Sequence, residues 1–128
     1  MSYYFNRKIK GNFEEVEKRT REVLKQEGFG VLTEIDVKET LKKKLDVNFR
    51  IYKILGACNP PFAYKALLAE DKIGTMLPCN VILQEVNEGE VEIAAIDPIA
   101  SMQAIQNPDL GDLANQVREK LRRVVENV

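Results

Sequence analysis

The sequence predicts an α+β domain in two layers: one mixed five-stranded sheet with its helices packed mainly on one face. Three observations carry this. Stretches of strand-like alternation and of helical spacing follow in the order β-α-β-α-β-α-β-β-α. Asn or Asp opens most of the helical stretches, where a side-chain oxygen can cap free backbone N–H groups. The last two strands are parted only by Asn87-Glu88-Gly89, a hairpin turn with glycine at a left-handed position. That antiparallel pair makes the sheet mixed rather than purely parallel. The whole chain, 1–128, is read as one domain, long enough to bury about two-thirds of its unfolded surface.

Taken in order, Tyr3 to Lys10 is a first strand, with Tyr3, Phe5 and Ile9 on one face and Asn6, Lys8 and Lys10 on the other. Gly11 breaks it. Asn12 caps a helix, with Glu15 at the matching capping-box position. Phe13, Val16, Thr20, Val23 and Leu24 form its stripe, and Gly28 ends it. Phe29 to Ile35 is the second strand. Asp36 caps a short helix on which Val37, Leu41 and Leu45 share one side, while Lys38 and the lysines at 42–44 face water.

Phe49 to Ala57 is the third strand. Asn59-Pro60 opens a third helix, asparagine as cap and proline at the first helical position. Phe62, Ala66 and Leu67 give its buried side, and Ile73 to Pro78 is a return loop. Cys79 to Val86 and Glu90 to Ile96 are the fourth and fifth strands. Asp97-Pro98 ends the fifth, and Ile99 to Ile105 is a short helical turn. Asn107-Pro108 opens the final helix, whose stripe is Leu110, Leu113, Val117, Leu121, Val124 and Val128.

The late strands are apolar on both faces. Val81, Leu83, Ile93 and Ala95 oppose Ile82, Val86, Ala94 and Ile96, with Tyr52 and Ile54 on the same side as the latter. An uncovered apolar face of that size predicts either short helices wrapped behind it or, as preferred here, a two-fold homodimer.

Composition removes several function classes. There is no histidine, so a Ser-His-Asp or Cys-His mechanism and a His-containing zinc site are excluded within one chain. The 19 basic and 20 acidic residues leave a net charge of −1, which argues against a dedicated nucleic-acid binder. No apolar run has signal-peptide or membrane-span length, so the expectation is a cytoplasmic protein with no membrane partner. In that compartment Cys58 and Cys79 are expected as thiols.

These two cysteines mark the candidate site. Cys58 lies where the third strand gives way to the third helix, at the positive end of a helix dipole that would make thiolate more available. Cys79 follows Pro78 at the start of the fourth strand. Parallel third and fourth strands would put the sulfurs at opposite ends of the sheet, whereas a chain returning beside Cys58 would let them pair or share a metal. Two thiols suit a linear Cu(I)-type site better than tetrahedral zinc. Both cysteines are equally read as small buried residues. Asp97 reads as an acid/base group, a ligand or a strand terminator; Met76 and Met102 as soft-metal ligands or core filler; Asn59 as a cap; Asn80 as a side chain pointing into a pocket.

Gly56-Ala57-Cys58-Asn59-Pro60, Leu77-Pro78-Cys79-Asn80-Val81 and Ile96-Asp97-Pro98 with Met102 resemble the pattern of domain-of-unknown-function family 302. The resemblance covers nearly the whole chain. It implies a small bacterial or archaeal two-layer α+β protein, commonly a dimer, with no established activity and no catalytic residue to carry over. It marks Cys58, Asn59, Pro60, Pro78, Cys79, Asn80, Asp97 and Met102 as shared positions.

The function expected from sequence is a cytoplasmic homodimeric binding protein. Its pocket lies at the GACNP and LPCN segments, with Cys58, Asn59, Pro60, Cys79, Asn80 and Asp97 as ligand-binding candidates, and takes a small anionic or thiol-reactive ligand. The alternatives are a thiol-based redox or sulfur-handling enzyme, and a soft-metal binder using Cys58 and Cys79.

Overall fold

The computed structural model describes residues 2–128. The strands are β1 (Tyr4–Lys10), β2 (Gly30–Asp36), β3 (Tyr52–Cys58), β4 (Cys79–Asn87) and β5 (Glu90–Ile96). The helices are α1 (Phe13–Gln26), α2 (Val37–Leu45), α3 (Pro60–Ala69), α4 (Pro98–Ser101) and α5 (Pro108–Asn127). The return segment after α3 is not an open loop: Asp71–Met76 winds into a 3-10 helix around the fully buried Ile73.

The sheet runs in the order β1-β5-β4-β3-β2, and every neighbouring pair is antiparallel. The two-layer α+β class holds, but the mixed strand directions do not. The physical reason lies in the connections. A parallel neighbour requires a crossover that lays a helix over the sheet. Only α1 makes one, and it carries the chain past three strands, from one edge to the other, so the two strands it joins never pair. The segments holding α2 and α3 instead return the chain to the adjacent strand.

One face of the sheet meets α1 and α5. Leu55, Val81, Leu83, Val91 and Ile93 are fully buried there against Val16, Leu24, Leu121 and Val124. The starts of α1, α2 and α5 obey local capping chemistry. The amides of Glu15, Glu39 and Asp109 donate to the side chains of Asn12 (2.8 Å), Asp36 (2.9 Å) and Asn107 (3.0 Å). Lys53 sits on the helix-facing side of β3, bound to Glu17 at 2.9 Å and Glu34 at 2.8 Å. Its ammonium holds the Glu34 carboxyl below the usual range, and the two carboxylates raise Lys53 in turn. The bidentate contact of Arg123 with Glu27 ties α5 to the end of α1.

The opposite face is open. Tyr52, Ile54, Ile82, Ala94 and Ile96 are half-buried on it, and a polar ladder crosses three strands. Asn6 Nδ2 donates to Glu92 Oε2 at 3.0 Å, and Gln84 Nε2 donates to Glu92 Oε1 at 2.8 Å. On α2, Leu45 stays 66% exposed and no residue is buried. The shared side of Val37, Leu41 and Leu45 therefore does not act as a core stripe. Among the described residues no helix is long and apolar enough to cross a membrane.

A second, smaller apolar cluster lies beside the main core. Ala66, Ile73 and Leu110 form it, with Leu77, Met102 and Ile105 packed around them. The gap between the two clusters is where the site falls.

Candidate functional site: an apolar cavity with two thiols

Antiparallel pairing decides where the cysteines go. Ala57 of β3 is the cross-strand partner of Cys79 of β4, and Gly30 of β2 is the partner of Cys58. Both cysteines therefore sit at one end of the sheet. The strand stops at Cys58 as the chain turns into α3, and both residues line the same cavity of about 280 Å³. Neither is in a disulfide.

The cavity opens because small residues line it from two packed helices. Ala63 and Ala66 of α3 and Ala114 of α5 contribute methyl groups where larger side chains would close the space. Phe29, Phe62 and Leu113 supply further apolar wall. None of the eighteen lining residues carries a charge.

Cys79 is buried and Cys58 only half-buried. Burial pushes the Cys79 thiol up to about 11, because a thiolate loses its hydration there, and negative charge on Cys58 adds to the effect. At neutral pH Cys79 is a protonated thiol.

Asn59 stands at the cap position of α3, but its side chain makes no capping bond. Its Nδ2 donates to the Glu27 carbonyl at 3.3 Å instead. The end of α1 leaves carbonyls without helical partners, and Asn59 answers one of them. Gly28, in the left-handed region at φ 86°, leaves room for that amide: a Cβ there would stand 3.0 Å from Asn59 Nδ2. Asn59 thus anchors the start of α3 to the end of α1.

The remaining candidates separate. Pro60 begins α3, exposed and outside the cavity wall. Asn80 projects onto the open sheet face, where it lines a different hollow with Tyr4, Tyr52 and Gln84. Asp97 is 5% exposed but lies outside the cavity; it caps α4 by accepting from the Ile99 amide at 3.0 Å and from Arg118 Nε at 3.2 Å. Met102 does line the cavity, whereas Met76 is a surface residue. Among the described residues no three His, Cys, Asp or Glu side chains cluster. A metal at the thiols would have two sulfurs, with only a thioether elsewhere on the wall.

Sequence reasoning passed over the α5 wall. Leu113 and Val117 read as ordinary core stripe, and the available signal was the small Ala114 set among larger residues.

A family model described as "Domain of unknown function DUF302" matches residues 5–128. The chain is also similar to a solved structure described as "Crystal structure of uncharacterized conserved protein DUF302 from Bacillus stearothermophilus". The two share 27% identity at a TM-score of 0.91, over 99% of this chain and 98% of that one. No curated protein matches the chain.

Proposed function

The chain belongs to the DUF302 family, and we propose that within this fold it is a homodimeric binding protein for a small, apolar, thiol-reactive ligand. The observation that carries the reading is the wall of the cavity, which is free of charge and holds two thiols. A volume of about 280 Å³ lies near the lower end of the range for small-molecule sites. An anionic ligand would find no cation in this wall, so the weight falls on the apolar form of the ligand. Cys58, half-buried, is the thiol that such a ligand meets, and Cys79 is the buried one. Asn59 contributes by fixing α3 in place. A reducing cytoplasm is the compartment this reading assigns, because both thiols must stay free.

Filling the space tests it. Ala114→Leu is expected to weaken binding of the neutral probe N-phenylnaphthylamine by at least about tenfold, or about 1.4 kcal/mol, with the fold intact by circular dichroism. Equal binding by the variant would remove the cavity as the site.

The dimer forms, on this reading, through the open sheet face, where Ile54, Ile82, Ala94 and Ile96 make a contiguous apolar strip across β3, β4 and β5. Native mass spectrometry is expected to show a dimer for the natural chain and a monomer for Ile82→Lys. A natural chain that stays monomeric at high concentration would defeat this part.

A further inference from the structure

We infer that the hollow on the open sheet face is a binding site for a small primary amine in its ammonium form, carried on an apolar or aromatic body. This site lies across the sheet from the cavity between α3 and α5 and uses different residues.

The strand register builds it. Tyr52 of β3 pairs with Gln84 of β4, and Gln84 pairs with Glu92 of β5. Two residues along, Ile54, Ile82 and Ala94 form the next row across the same strands. Alternation sends both rows to the open face, while Leu55, Val81 and Ile93 go to the helices. Ala94 is the small member of its row, set between Ile82 and Asn6. The surface dips there into a hollow of about 370 Å³. Ile82, Ala94 and Ile96 give it an apolar floor, and Tyr3, Tyr4 and Tyr52 also line it.

Its polar end selects the ligand. Glu92 is half-buried, and each of its oxygens accepts one bond from a flanking strand: 3.0 Å from Asn6 Nδ2 and 2.8 Å from Gln84 Nε2. The carboxylate is thus held from both sides, and each oxygen can still accept another hydrogen bond. Both donors are neutral amides, and among the described residues no cation pairs with Glu92. Lys8 is its partner across the β1–β5 ladder, but Lys8 is exposed and lies outside the hollow's wall.

A fixed, half-buried carboxylate without a counter-ion favours a cation whose N–H groups can reach its oxygens. Tyrosine rings favour the same charge, because a cation is attracted to the negative face of the ring. An anion is repelled by Glu92, and a neutral alcohol gains neither attraction. The apolar floor takes the body of the amine. Ile82, Ala94 and Ile96 also belong to the strip that the dimer reading gives to a second copy. On that reading the amine lies in a recess under the seam between copies.

Benzylammonium is the probe, with benzyl alcohol as its neutral counterpart. Isothermal titration calorimetry is expected to show saturable binding of one benzylammonium per chain, at least about tenfold tighter than the alcohol. Glu92→Gln keeps the size of the side chain and removes its charge. It should weaken the amine by at least about tenfold and leave the alcohol unchanged. Ala94→Leu fills the dip while keeping Glu92, and should weaken the amine as much. Equal affinity for amine and alcohol would overturn the inference, as would undiminished binding in Glu92→Gln. Displacement of the amine by N-phenylnaphthylamine would move it to the other cavity and overturn the inference as well. Native mass spectrometry separates this site from the dimer reading. A monomer that binds the amine through Glu92 keeps the site and loses the dimer; a dimer that binds no amine loses the site alone.

Discussion

Gly56→Val is expected to cost about 3 kcal/mol of stability and to lower the melting temperature by roughly 10 °C. Gly56 is buried in β3, paired with Thr33 of β2 on one side and Asn80 of β4 on the other. A Cβ at this position would run into Thr33 Oγ1 and come within 2.7 Å of Pro78 Cγ. The hydroxyl can turn aside, but the proline ring has no comparable escape, because it is held by the LPCN segment as that segment enters β4. The added side chain must therefore push Pro78, which is also part of the cavity wall. Losing glycine stiffens the unfolded chain and returns at most about 1 kcal/mol, less than the overpacking costs. Gly30 is the control. No atom lies within 4 Å of a Cβ built there, so Gly30→Ala should melt near the natural temperature. Matching melts for the two variants would show that the Gly56 contacts relax freely.

The second large effect is a loss of stability in alkali, traced to Cys79. Its thiol ionises near 9.0 in an unfolded chain and at about 11 in the fold. Below 9.0 both states hold the proton and the fold has its full advantage. As pH rises, the unfolded chain releases its proton first and binds fewer than the folded one, so stability falls until about 11 is passed. A shift of this size is equivalent to about 2–3 kcal/mol. Urea midpoints at about pH 8 and about pH 11 measure the drop, and Cys79→Ala should show a distinctly smaller one. An identical drop in the variant would assign the whole effect to other groups.

Much of the fold could be read from the chain because local chemistry decides it. Asn12, Asp36 and Asn107 cap the helices they were expected to cap, and β5 has the bounds its alternation indicated. Strand neighbours could not be read this way. A two-residue period tells which face a side chain takes, but not which strand lies alongside. The direction of β4 relative to β3 depends on the path of α3 and its 3-10 helix, and the meeting of the two cysteines depends on that path. Part of the site was nevertheless legible and missed. The alternation that sends Cys79 and Val81 inward already sends Asn80 to the other face, so the consecutive LPCN residues were never all candidates for one pocket. The cavity itself needed two helices in place, since Ala63, Ala66 and Ala114 leave a space only when they surround it.

The strand order also bears on how the chain acquires its shape during synthesis. β1 leaves the ribosome first, yet its only partner, β5, is the last strand made. Asn6 and Glu92, which join across that pair, are separated by 86 positions. The antiparallel run β2-β3-β4 can form from neighbouring segments, each closing a short loop, while β1 waits with its backbone groups unpaired. Closing so long a loop is entropically slow. A nascent chain halted before Glu90 therefore has a sheet lacking its last strand and a leading strand with nowhere to dock, and the final hairpin completes both at once.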